Sequence, residues 1–155
     1  MWEGEVAGIF VSPAGSGSMV AVQSVAAIAG RGLEGDRYFL GTGKYSKTPG
    51  TGRQVTLIES EAVEGLAREN GIRIEAGRAR RNIVTSGVPL NHLVDRDFSV
   101  GEVVLRGMRL CEPCAHLASL TKRGIAKGLI HRGGLRAEIV SGGEIQVGDP
   151  IRPVG

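Results

Sequence analysis

Phe98-Ser99-Val100-Gly101-Glu102-Val103-Val104-Leu105-Arg106-Gly107-Met108-Arg109-Leu110-Cys111 is the stretch that decides the fold. Its apolar runs at 98–100, 103–105 and 108–111 are too short for helices, and Gly101-Glu102 and Arg106-Gly107 between them read as turns. The pattern predicts short strands in close succession, and it continues in both directions. Downstream, strands are expected at 135–140, at 145–147 after a Gly142-Gly143 turn, and at 150–154. Upstream they are expected at 6–11, 19–29, 54–58, 72–74 and 82–85. Three helices are predicted among them. One is capped by Ser60, with Ala62, Val63, Leu66 and Ala67 on one face and Asn70-Gly71 as its stop; the others span 114–120 and 122–130. Many short strands, glycine turns and few helices indicate a mainly β protein, an antiparallel barrel or sandwich.

The 155 residues are expected to form a single domain, 1–155, able to bury roughly 70% of the unfolded surface. Twenty-five are glycine without a Gly-X-Y period, which excludes collagen and implies turns, bulges and backbone-lined crevices. Only six are aromatic, so the core falls to Val, Ile, Leu and Ala, and recognition of nucleic acid by base stacking is disfavoured. Residues 30–52 are rich in Gly, Thr, Lys and Arg and are expected to form a long loop, of the kind that is functional or mobile.

Charge is unevenly spread. The net +3 of the chain hides a net +6 over residues 106–136, around both cysteines, where a small anionic ligand is expected. Residues 6–30 lack charge, but Pro13, glycines and serines interrupt them, so no membrane span is expected. The acidic start and the absence of a disulfide framework lead to the expectation of a cytoplasmic protein.

Cys111-Glu112-Pro113-Cys114 carries the most chemistry. The thiolate is the reactive form, and nearby cations and a helix N-terminus both favour it. Cys114 opens an expected helix within the net +6 stretch, so its sulfur is expected to be exposed and partly ionised. Four readings remain open on the residues alone. They are a pair of buried small side chains, a zinc half-site with His116, a Cys111–Cys114 redox couple, and a single reactive cysteine that carries sulfur or ligates a soft metal. His92 and His131 have no assigned role.

Gly32-Leu33-Glu34-Gly35-Asp36-Arg37, then Arg80-Arg81-Asn82-Ile83-Val84, then Cys114 before a helix, and finally Ile145-Gln146-Val147-Gly148-Asp149-Pro150 occur in an order and spacing that resemble MOSC domains, the molybdenum cofactor sulfurase C-terminal domains. The resemblance runs from about residue 4 to 153, as in a stand-alone member, and it implies a closed β-barrel. It also implies a molybdenum-cofactor (molybdopterin) site or a sulfur-carrier cysteine. Cys114 matches the position of the family's molybdenum-ligating or persulfide-carrying cysteine, and Cys111 is at most an accessory thiol. Relatives resembling the amidoxime-reducing enzymes reduce N-hydroxylated compounds at such a site.

The resemblance further implies that Arg80 and Asn82, at the family's Arg-x-Asn position, contact the phosphate or pterin. Arg81 beside them, Arg37 on the long loop and Arg132 before two glycines are further cofactor-binding candidates, since guanidinium groups suit phosphate. Each has a plainer reading as a surface charge, or for Arg37 as a partner of Asp36 or Glu34. Amidoxime-reducing relatives carry an additional N-terminal domain, for which no counterpart is seen in this sequence. No pyridoxal phosphate site is evident, so sulfur would be supplied by a partner cysteine desulfurase and passed to a molybdoenzyme. The rivals are a non-catalytic anion- or nucleic-acid-binding barrel and a thiol redox protein.

Overall fold

The computed structural model describes residues 2–12, 19–36, 54–71, 81–110 and 133–154. Eleven strands appear among them: β1 Gly4–Val11, β2 Val20–Val22, β3 Ser24–Ile28, β4 Gly32–Leu33, β5 Val55–Glu59, β6 Ile83–Ser86, β7 Asp97–Val100, β8 Val103–Leu110, β9 Leu135–Ser141, β10 Gly143–Gln146 and β11 Pro150–Pro153. One helix, α1 Ser60–Asn70, and a 3-10 turn, Leu90–His92, complete the described elements. Seven strands follow the order β11-β7-β8-β9-β5-β6-β1, and pairing of β1 with β11 closes them into the expected barrel. The closing pairs are Gly4↔Ile151 and Glu5↔Pro150.

Alternation explains the interior. Leu57, Ile83, Phe98, Val100, Val103, Leu105, Leu135, Ala137, Ile139 and Ile151 share one buried cluster, and each fully buried aliphatic side chain contributes about 1.5–3 kcal/mol. Ile58 and Val84, one residue on from Leu57 and Ile83, face the other way and are buried on the side where α1 packs against β5 and β6. The helix is there for a topological reason. β5 and β6 are parallel, and parallel neighbours need a crossover connection. It ends as expected, with Gly71 at φ 68° donating to the Ala67 carbonyl oxygen.

Two strand expectations are corrected. The run at 19–29 is two strands in two sheets: β2 pairs with β1, while β3 pairs with β10 and β4 in a separate three-stranded sheet. Gln23 separates them, its carbonyl oxygen accepting from the Val147 N–H. Val25, Ala27, Leu33 and Ile145 of the small sheet join the barrel core. Arg106-Gly107 is also not a turn, because β8 runs through it. The glycine is required by close approach, since a Cβ at Gly107 would overlap the Leu93 carbonyl oxygen. Just beyond it Met108 is an extra residue between the pairs Gly107↔Ala137 and Arg109↔Arg136, a β-bulge.

The expected strand at 72–74 and helices at 114–120 and 122–130 lie outside the described residues. No described helix is long and apolar enough to cross a membrane.

Candidate functional site

Arg81 and Asn82 stand immediately before β6, and both side chains reach away from their own strand. Arg81, only 7% exposed, donates from Nε to the Gly133 carbonyl oxygen at 2.8 Å. Gly133 precedes β9, and β5 lies between β6 and β9, so this one side chain links the two neighbours of β5. Gly134 follows at φ 112°, where a Cβ would overlap the Leu57 carbonyl oxygen, so glycine alone lets the chain pass so close to β5. Leu135 then pairs with both Leu57 and Leu110. The polypeptide bearing residues 111–132 thus leaves the described barrel and rejoins it at neighbouring points, next to Arg81.

Asn82 is the centre of a buried polar cluster. Its Oδ1 accepts from the Thr56 N–H (3.1 Å) and the Thr56 hydroxyl (3.2 Å). Its Nδ2 donates to the Phe10 carbonyl oxygen (3.1 Å) and to Asp36 Oδ1 (3.2 Å). The amide orientation follows from these partners, because a flipped amide would turn N–H groups toward the Thr56 N–H. Two donors and two acceptor positions are all filled by protein groups. Thr56 Oγ1 also accepts from the Asn82 N–H at 3.1 Å.

Asp36, fully buried, also accepts from the Ser12 N–H at 2.9 Å through the same Oδ1. A carboxylate taken from water is tolerated where charge-assisted hydrogen bonds replace the lost hydration. The cluster ties together the residue after β1, the Gly-acid turn after β4, β5 and the approach to β6. Asp36 is therefore held against Asn82, and Arg37 is its covalent neighbour.

Of the positions singled out in the sequence, Arg81 and Asn82 are adjacent in this arrangement. Arg37, Arg80, Cys111, Cys114, His116, His131 and Arg132 lie outside the described residues. Ser12 and Thr56 were not anticipated as partners; separations of 24 to 46 residues along the chain leave no local signal for these contacts. Among the described residues no group of three His, Cys, Asp or Glu side chains is arranged to hold a metal ion.

A second polar cluster lies where β5 meets α1. Glu59 Oε2 accepts from the Leu90 N–H at 3.3 Å, and Glu61 Oε2 from the Gly87 N–H at 2.9 Å. Burial raises the Glu59 pKa above its ordinary value; the Leu90 hydrogen bond opposes this, the Glu61 charge adds to it, and His92 opposes it. These carboxylates fasten the segment between β6 and the 3-10 turn. His92 itself is exposed on that turn.

The barrel has close counterparts among solved structures. The YUAD protein from Bacillus subtilis is 18% identical and superposes with a TM-score of 0.76 over 97% of each chain. YiiM from Geobacillus stearothermophilus, at 17% identity and a TM-score of 0.75, covers 98% of this chain and 75% of its own. YiiM from Escherichia coli, also 17% identical, gives a TM-score of 0.69 over 100% of this chain and 70% of its own. At such identities the likeness establishes the fold alone. No curated protein matches the sequence. The model of the MOSC domain matches residues 44–152, more than half of the chain, and with the closed barrel this shows that the protein belongs to the MOSC domain family.

Proposed function

We propose that this protein binds the molybdenum cofactor, or carries sulfur destined for it, through the thiolate of Cys114. The family as a whole is associated with molybdenum-cofactor binding. One observation carries the reading to this chain. The Arg81–Gly133 hydrogen bond and the Leu110↔Leu135 pair bring the approach to β6 beside both ends of the segment that bears Cys114 and Arg132. The Asp36–Asn82 bond brings the turn leading into Arg37 to the same approach.

The residues present suit such a ligand. Arg81 is a guanidinium whose direction is set by its bond to Gly133, and a fixed guanidinium recognises phosphate at little conformational cost. Arg37 directly follows Asp36, and Arg80 and Arg132 directly precede Arg81 and Gly133, so all three would supply further charge for the same anion. Asn82, its amide filled, serves by position: it holds Asp36, and with it the start of the Arg37 loop. The Cys114 thiolate is a soft donor suited to molybdenum. When bound, the cofactor supplies two-electron redox chemistry at its metal, and reduction of N-hydroxylated compounds is the reaction class that the family resemblance implies.

As a carrier, Cys114 would act without the cofactor. Its thiolate attacks the terminal sulfur of a persulfide on a partner cysteine desulfurase, the partner's cysteine leaves as a thiolate, and Cys114 becomes the persulfide. A molybdoenzyme is then the acceptor.

The two forms are tested on the same pair of proteins. Wild type and Cys114→Ser, produced in a host that makes the cofactor, are compared for molybdenum content. Each is then incubated with a cysteine desulfurase and free cysteine and weighed intact. Ligation predicts molybdenum in wild type and its loss in the variant; carriage predicts a gain of one sulfur atom in wild type alone. Equal molybdenum in both proteins together with no added sulfur in either rejects the reading.

A further inference from the structure

The outer face of the barrel carries a cross-strand pair of arginines with no carboxylate partner among the described residues. Arg109 of β8 and Arg136 of β9 are direct cross-strand partners. Leu110 and Leu135, the next pair along, turn to the core, so the two guanidinium side chains share the outward face. Directly opposed residues stand about 5 Å apart at Cβ, and like charges so placed destabilise the strand pair unless an opposite charge comes between them.

The neighbouring outward pair shows what compensation looks like on this surface. Arg106 stands opposite Glu138 and makes an ion pair with Asp97 at 3.6 Å. Neither Arg109 nor Arg136 has a carboxylate partner among the described residues.

The backbone is shaped to make this pair. In an unbroken ladder Met108 would face Arg136 and Arg109 would turn inward. The one-residue bulge at Met108 reverses the alternation, bringing Arg109 out opposite Arg136 and returning Leu110 to the core. Arg109 is exposed and Arg136 half-buried, so both guanidinium groups are reachable from solvent.

We infer that Arg109 and Arg136 form a binding site for a doubly charged oxyanion of the phosphate class, either free phosphate or a phosphate monoester. Two adjacent guanidinium forks offer parallel N–H donors to separate oxygens of one tetrahedral group, and the anion relieves their mutual repulsion. This does not depend on the Cys114 thiol.

The test is calorimetric titration of the full chain with inorganic phosphate and, separately, with glycerol 3-phosphate, holding ionic strength constant with sodium chloride. Saturable binding of either ligand is expected, with affinity falling roughly tenfold in R109Q and in R136Q and vanishing in the double variant. Binding of both ligands marks the phosphate group as sufficient, and binding of the ester alone marks a monoester site. R106Q, whose arginine is already paired, and C114S are expected to bind as wild type, with thermal midpoints in chloride confirming that every variant is folded. The inference is overturned by no saturable binding of either ligand, by wild-type affinity in R109Q/R136Q, or by an equal loss in R106Q, which would mean diffuse attraction only. Loss in C114S would overturn it too, by assigning the anion to the thiol's site; equal molybdenum in wild type and Cys114→Ser bears on that site alone.

Discussion

Replacing Asn82 with alanine removes the hub that joins four segments of the chain. The side chain makes four hydrogen bonds, to the Thr56 N–H, the Thr56 hydroxyl, the Phe10 carbonyl oxygen and Asp36. Neutral bonds contribute about 0.5–1.5 kcal/mol net, one to a charged group about 1.5–3 kcal/mol, and orphaned buried partners push each toward its upper end. With Asn82 1% exposed and Asp36 fully buried, water does not readily replace the lost partners. The four bonds together come to about 3–7 kcal/mol, which for a chain of this size lowers Tm by roughly 10–20 °C. Urea denaturation followed by circular dichroism checks it, the midpoint falling with the m-value unchanged. Asn82→Asp provides a second reading, since it retains the acceptor for Thr56 but sets a carboxylate against Asp36. It is expected to be at least as damaging at pH 7, because it sets two like charges against each other in a buried site. A loss under about 1 kcal/mol for Asn82→Ala would refute the view that the cluster holds the loop.

Two other perturbations probe the frame. Glu59 has a folded-state pKa above its unfolded value, so the folded protein holds this proton more tightly and stability falls as pH rises from about the unfolded value through the folded one. Glu59→Gln retains an acceptor for the Leu90 N–H and removes that loss; urea midpoints at pH 4.5 and 7 are expected to fall less with rising pH than in wild type, and an unchanged difference counts against the assignment. Gly107→Ala drives a methyl group into the Leu93 carbonyl and is expected to cost about 3 kcal/mol or more, whereas a midpoint equal to wild type would show that the 93–96 segment yields freely.

The strands were legible where apolar alternation and glycine punctuation coincide, as at β5, β7, β9 and β11, but the expected turn at Gly142-Gly143 is replaced by a single residue, Gly142, between β9 and β10, which Gly143 begins. The error at Gly107 has a definite cause: a glycine required by a crossing backbone and a glycine required by a turn look alike in one dimension. The run at 19–29 misled for a related reason, since continuous apolar character says nothing of which edge each half pairs with. At the candidate site the Arg80-Arg81-Asn82 motif pointed to the approach to β6 but not to the polar cluster that Asn82 centres there. An asparagine that contacts a ligand and one that links loops have the same local signature. Its partners Ser12, Asp36 and Thr56 are distant in the chain, so only the folded arrangement shows that its hydrogen-bonding capacity is already used.

The seam between β1 and β11 sets the order of events during synthesis. Residues 4 and 5 wait for residues 150 and 151 before the ring is complete, so a nascent chain emerging from the ribosome presents two bare edges, on β1 and β7, until its last strand appears. Contacts so remote in sequence slow folding, and unpaired edges invite pairing with other chains. Trimming β11 would leave those edges permanently open, which makes yield and aggregation during expression sensitive to the four residues of this one strand.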